Sequence, residues 1–362
     1  MTDAPMILWL DDPQAAGNGL LGGKFSSLAA MTSTGVAVPP GFGVTTAAYR
    51  AFMASAGLAD EARRVRELAP TLDLSEIKTA TAGLIERLMN EPLPDGLEAQ
   101  IREAYAELER RTGVADAPVA VRSSGESEDL AGASFAGQYE TFLWICGADA
   151  VIRNMRACWA GMFGEAVLSY RPDGQAIAAA SDFGICVGVQ QMVEARAAGV
   201  MFTLDPINGD RSKIVLESCW GLGEGVVKGD VTPSQFTVDK VTFEITKRKL
   251  SPQTEEYRFD PAVGGVALVP VEAERQDQPC VSEAEVVTLA KLAKQLEVAR
   301  GEPQDVEWAL SKRGEIWALQ ARPETVWSRK APERVVAVKQ SPVNHVLARL
   351  SGVRLTKPAG GA

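Results

Sequence analysis

Arg122 closes the apolar run Val119-Ala120-Val121 and is followed by Ser123-Ser124-Gly125. That order puts a guanidinium at a predicted strand end, beside backbone N–H groups, and suits a planar fork on phosphate oxygens. An ion pair with Glu126, Glu128 or Asp129 competes for the same group. Far along the chain, Glu307 in Asp305-Val306-Glu307-Trp308 and Gln320 in Ala318-Leu319-Gln320-Ala321-Arg322-Pro323 offer oxygen ligands of the kind magnesium prefers. ATP phosphates would complete such a set, and Arg322 would add charge beside them. The plain alternative for Glu307 is a solvated hairpin face.

Gly19-Leu20-Leu21-Gly22-Gly23-Lys24 looks at first like a Walker loop, but Asn18 stands where the first glycine is needed and Phe25 where the hydroxyl is needed. A Gly-Gly step still lets the backbone approach an anion, and a lysine at its end can reach phosphate oxygens. A turn with a solvated lysine is the competing reading. Ser134-Phe135-Ala136-Gly137-Gln138 is a second small-residue loop, where Gly137 could admit a phosphate and Thr141 could donate a hydroxyl. Gly221-Leu222-Gly223-Glu224-Gly225 does not match a dinucleotide fingerprint and reads as a turn.

These groups need elements to position them. Residues 7–46 read as loop, helix, turn and strand, and from about residue 47 to 111 apolar residues recur at helical spacing. Short β-branched runs follow at 119–121, 139–145, 185–193, 199–204, 214–216 and 236–238. Ser282-Glu283-Ala284-Glu285 is a capping box opening a helix, with Gly301 past its end. Residues 305–320 alternate about a turn at Ser311-Lys312-Arg313-Gly314, which predicts a hairpin. Pairing about Lys312 and Arg313 would set Glu307 opposite Ala318, with Gln320 as its diagonal neighbour. The predicted layout is α/β: an N-terminal lobe over 1–185 with a helical subdomain at about 47–112, a second lobe over 186–327, and a tail or docking segment over 328–362.

At 362 residues and 46% hydrophobic side chains, the chain can bury a sizeable core. A net charge of −10 argues against a nucleic-acid-tracking surface, because that affinity comes from Lys and Arg neutralising phosphates. Residues 1–10 carry no basic leader pattern, and no apolar run approaches the ~20 residues that span a bilayer. The expectation is a cytoplasmic protein that binds no membrane. Five scattered cysteines without a Cys-x-x-Cys pair predict buried free thiols rather than zinc. One histidine, His345, nearly excludes a His-based triad or a multi-histidine metal site.

Taken in order, Gly22-Gly23-Lys24, Val121-Arg122-Ser123-Ser124 with Glu128-Asp129, Ser134-Phe135-Ala136-Gly137-Gln138, Val189-Gln190-Gln191-Met192-Val193, Gly199-Val200-Met201-Phe202-Thr203, Trp220-Gly221-Leu222-Gly223-Glu224, Glu307-Trp308 and Leu319-Gln320-Ala321-Arg322-Pro323 resemble one family. It is the N-terminal ATP-binding region of phosphoenolpyruvate synthase, pyruvate phosphate dikinase and dikinase-like antibiotic phosphotransferases, and the resemblance runs from about residue 20 to 327. It implies a two-lobed ATP-grasp-like fold and Mg2+-ATP as the nucleotide. Lys24 and Arg122 would then grip phosphates, with Gly137 and Thr141 along the phosphate loop and Gln190 at the adenine-side hinge. Glu307 and Gln320 would hold magnesium and Arg322 would lie beside the transferred group.

Enzymes of this family pass phosphate through a histidine on a mobile domain, and His345 lacks the small, threonine-rich surroundings of that motif. The resemblance therefore implies a histidine-bearing partner subunit, as in split dikinases like phenylphosphate synthase. AMP and orthophosphate would be released and a phenol-type acceptor phosphorylated. A split phosphoenolpyruvate synthase acting on pyruvate and a non-catalytic nucleotide sensor are the alternatives.

Overall fold

Arg122, Thr141 and Gln190 lie in one antiparallel sheet, Glu307, Gln320 and Arg322 lie in a second, and Lys24 sits on a helix packed against both. The computed structural model describes residues 4–126, 140–169 and 184–327. Those up to Glu324 form one compact unit. Gly137, Glu128-Asp129, His345 and the segment 328–362 lie outside the described residues.

The first sheet has the order β1-β2-β5-β3-β4, from β1 (Ile7–Trp9), β2 (Gly41–Val44), β3 (Val119–Gly125), β4 (Thr141–Ile145) and β5 (Ile185–Gln191). Alternation along its strands divides its two faces. Val119, Val121, Ile185, Val187 and Val189 enter a core built with α2 (Thr46–Ser55), α3 (Ala59–Leu68), α4 (Leu74–Asn90), α5 (Leu97–Thr112) and α6 (Ala148–Gly161). These helices realise the periodicity expected over about 47–112. Asp73 and Glu76 close a capping box at the start of α4, which fixes that boundary.

On the opposite face runs α1 (Gly22–Ser33), which contacts β3 and β5. Gly188 permits this close approach, because a Cβ there would stand 1.8 Å from the Phe25 ring. The helix also shares a second core with the other sheet through Leu21, Phe25, Leu28 and Met31.

That sheet has the order β13-β12-β6-β7-β8-β9, from β6 (Ala195–Phe202), β7 (Lys213–Trp220), β8 (Ser234–Asp239), β9 (Ile245–Lys249), β12 (Gln304–Ser311) and β13 (Ile316–Pro323). The capping box at Ser282 and Glu285 opens α9 (Glu283–Arg300), whose Val286, Leu289, Ala293 and Leu296 cover the same core. The two sheets with their helical insertion make a mixed α/β arrangement. The lobe border expected at 185/186 shifts, because β2 and β5 pair along Gly41–Val44 and β5 also takes β3 along its whole length. The chain changes sheet only between Gln191 and Ala195. A separate hairpin, β10 (Glu255–Asp260) and β11 (Gly265–Pro270), stacks Phe259 on Trp144 of β4, ring centroids 5.2 Å apart.

All five cysteines are free, but the buried state expected of them holds for four. Cys146 is exposed just past the end of β4. Burial pushes the Cys158 and Cys219 thiols up to about 12 and that of Cys280 to about 11, so little reactive thiolate exists at neutral pH. A native chain treated with a water-soluble thiol reagent should label at Cys146 alone, and the other four should react only in denaturant. Peptide mass spectrometry reads the difference.

Candidate functional site

The guanidinium of Arg122 joins the two sheets. Its Nη1 donates to the carbonyl of Leu319 at 3.1 Å and its Nη2 to Oε1 of Gln320 at 2.7 Å. Glu307 stands 3.7 Å from the same nitrogen. The rival partner Glu126 is occupied instead by Arg50, at 2.8 Å, and by the N–H of Gly184.

Arg122 is not at a strand end, as its Ser-Ser-Gly sequel suggested. β3 continues to Gly125, with Ser123 facing Val187 and Ser124 facing Cys186 across the ladder, while the Ser123 N–H is taken by Glu140. The expected open N–H groups are thus absorbed by the sheet. What directs Arg122 outward is strand alternation: it shares the α1-facing side with Ser124, while Val121 and Ser123 face the helical core.

The hairpin also pairs differently from the register read in the sequence. Ser311 bonds Glu315 across the turn, so pairing centres on Arg313 and the register moves by one residue, with Trp308 rather than Glu307 facing Ala318. A β-bulge at Leu319 then sets Glu307 directly opposite Gln320 and Asp305 opposite Arg322. Without it, the alternation that turns Ala318 into the apolar core would turn Gln320 and Arg322 to that face too. With it, Ala318 and Ala321 both enter the core, and the two polar residues join Glu307 and Asp305 on the other face. The carbonyl of the bulged residue accepts from Arg122.

Thr141 is exposed and pairs with Arg122 across β3 and β4. Gln190 is 2% exposed, donates to the Pro39 carbonyl at 3.3 Å, and precedes the crossing from the first sheet to the second. Lys24 lies half-buried in the first turn of α1, a helix in contact with β3 and β13.

Asp305 is a site residue that sequence reasoning passed over. Its Oδ2 accepts from Nε and Nη2 of Arg322 at 2.8 and 2.7 Å. Burial holds its carboxyl above the ordinary aspartate range, and Arg322 pulls it back down. The signal was in the sequence: Asp305 and Glu307 are two apart on one strand and share a face.

Oxygen donors and cations therefore converge from both sheets. Glu307 and Gln320 present one carboxylate and one amide oxygen, a set that suits a magnesium ion whose remaining ligands are nucleotide phosphates. Among the described residues no group of three or more His, Cys, Asp or Glu could hold a metal by itself. Among the described residues, Nε of Arg122 is buried without a hydrogen-bond partner, and a ligand oxygen could accept from it. Beside the site an open cleft of about 690 Å3 runs between α1 and β13, lined by Gly22, Gly23, Ser26, Arg300, Ala321 and Pro323 among others. Among the described residues no helix is long and apolar enough to cross a membrane.

A family model described as the pyruvate phosphate dikinase AMP/ATP-binding domain matches residues 18–342. A phosphoenolpyruvate synthase of Aeropyrum pernix is 39% identical over 356 residues, covering 91% of this chain and 43% of its own length. A probable phosphoenolpyruvate synthase of Staphylothermus marinus is 38% identical over 357 residues, covering 91% of this chain and 42% of its own length. The prodigiosin synthesizing transferase PigC of Serratia marcescens is 38% identical over 310 residues, covering 85% of this chain and 32% of that protein. The chain thus spans less than half the length of these relatives.

Proposed function

The chain belongs to the pyruvate phosphate dikinase AMP/ATP-binding family, and on that premise we propose that it binds Mg2+-ATP between its two sheets and delivers the β-phosphoryl group to a histidine on a partner subunit. The observation that carries this reading is the junction at Arg122, where a phosphate-type fork from one sheet hydrogen-bonds an amide oxygen of the other and stands at ion-pair distance from a carboxylate of that sheet. Phosphoryl transfer depends mainly on charge neutralisation and in-line positioning, and a guanidinium beside two oxygen ligands suits the first.

In this reading Lys24 and Arg122 hold the phosphates, with Gly137 and Thr141 beside them, and Arg322 neutralises charge on the transferred group. Gln190, at the crossing between sheets, lies on the adenine side. Glu307 and Gln320 would hold magnesium, which supplies neutralisation of the phosphate oxygens. The histidine attacks phosphorus, AMP departs, and water carries off the terminal phosphate as orthophosphate.

The acceptor is a phenol-type hydroxyl by the resemblance to split dikinases. Pyruvate is the second reading, favoured by the relatives named phosphoenolpyruvate synthase. Assays of the chain with its partner, offering phenol, cresol or pyruvate with ATP, separate the two by which acceptor becomes phosphorylated.

Calorimetric titration of the full chain tests the nucleotide reading. ATP should bind at one site, and chelating magnesium should weaken it by about tenfold or more, since one carboxylate and one amide cannot replace the ion's charge. Equal affinity with and without magnesium would remove the metal from the account. An absence of binding would favour neither acceptor and would overturn the reading.

A further inference from the structure

We propose that Ser124 is the positioning residue that holds Lys24 in register with Arg122, an inference that rests on the ATP-binding reading. Leu21 occupies the N-cap position of α1 and offers no capping side chain, and the first turn holds no acidic residue. The missing cap comes from another element. The Ser124 hydroxyl donates to the Leu21 carbonyl at 2.8 Å and accepts from the Phe25 N–H at 3.2 Å.

Those two bonds bracket Lys24. Ser124 is fully buried, so water cannot take over either bond when the hydroxyl is removed. It stands two residues after Arg122 on the same strand, hence on the same face. Gly22 completes the contact: it has φ +64°, and a Cβ there would lie 2.1 Å from the Ser124 carbonyl oxygen. The backbone of the lysine's own helical turn thus rests on the strand that carries the arginine. A flexible lysine gains most from such anchoring, because fixing its root leaves less freedom to lose when phosphate binds.

The test compares Mg2+-ATP and AMP affinities of the parent chain, Ser124→Ala, Lys24→Ala and the double variant, with thermal midpoints recorded for each. Ser124→Ala should weaken ATP on the order of tenfold while changing AMP by less than about twofold, because only the distal phosphates need Lys24. In the Lys24→Ala background the same change should do nothing further. Should Ser124→Ala not fold, Ser124→Cys keeps the volume with a weaker hydrogen-bonding group and should give the same split. Ser123→Ala, on the opposite face, should leave the ATP-to-AMP ratio unchanged.

Equal losses for AMP and ATP, or losses that add to those of Lys24→Ala, would show an ordinary folding defect and overturn the proposal. A parent chain that binds ATP, with Ser124→Ala binding it equally well, would sink this inference alone. A parent chain that binds no ATP would sink the nucleotide reading with it.

Discussion

Arg122→Ala should weaken Mg2+-ATP binding on the order of a hundredfold, the largest loss expected of any substitution in the first sheet. Two effects add. The variant loses a charge-assisted fork on the phosphates, and it strips the Gln320 amide and the Leu319 carbonyl of their donor. The second effect also reaches stability, because Arg122 is 13% exposed and its partners are left unsatisfied, at a cost of roughly 2 kcal/mol. Denaturant unfolding monitored alongside the titration separates the two contributions. Arg122→Lys keeps the charge without the planar fork, so it should recover part of the ATP affinity and little of the bond to Leu319. Full affinity in Arg122→Ala would remove the residue from the nucleotide site.

Arg322→Ala should behave differently. Arg322 is bound to Asp305, and in the proposed function it acts in the step in which charge moves. The variant should largely keep ATP affinity while AMP formation with the histidine partner falls by about a thousandfold, in the range seen when a transition-state cation is removed. It also carries a pH signature. The Asp305 carboxyl is already raised by burial, and without Arg322 it rises further. The native state would then retain a proton that the unfolded chain has released, so stability relative to the parent should fall as pH rises above about 4. Thermal midpoints of parent and variant between pH 4 and 8 would show the gap widening with pH. Unchanged AMP formation would withdraw the role assigned to Arg322.

Both predictions concern residues that single-sequence reasoning found, yet their arrangement was only partly legible. Helical periodicity and capping chemistry located the helical insertion and α9, because those signals are local. The ordered motifs singled out Arg122, Glu307 and Gln320, whose side chains come together in the fold, and the α/β layout followed from the resemblance. What depended on distant segments was lost. No local signal says that β3 extends through Ser123 and Ser124, since the strand is completed by β5 far along the chain.

The hairpin register failed for a related reason. A one-residue bulge at Leu319 is invisible to an alternation count, although it decides which face Gln320 and Arg322 occupy. Asp305 faces Arg322 only in the bulged register, so an alternation count gives the pair no signal. The free-thiol reading held for all five cysteines and the buried state for four; the exposure of Cys146 follows from its place just past an edge strand.

The most direct measurement is to purify the chain, tagged, from its native cells with whatever accompanies it, and to add ATP carrying a radioactive β-phosphate. The account predicts AMP as the nucleotide product and acid-labile label on a histidine of the accompanying protein. Label recovered in ADP, or protein labelled from the γ position instead, would contradict it.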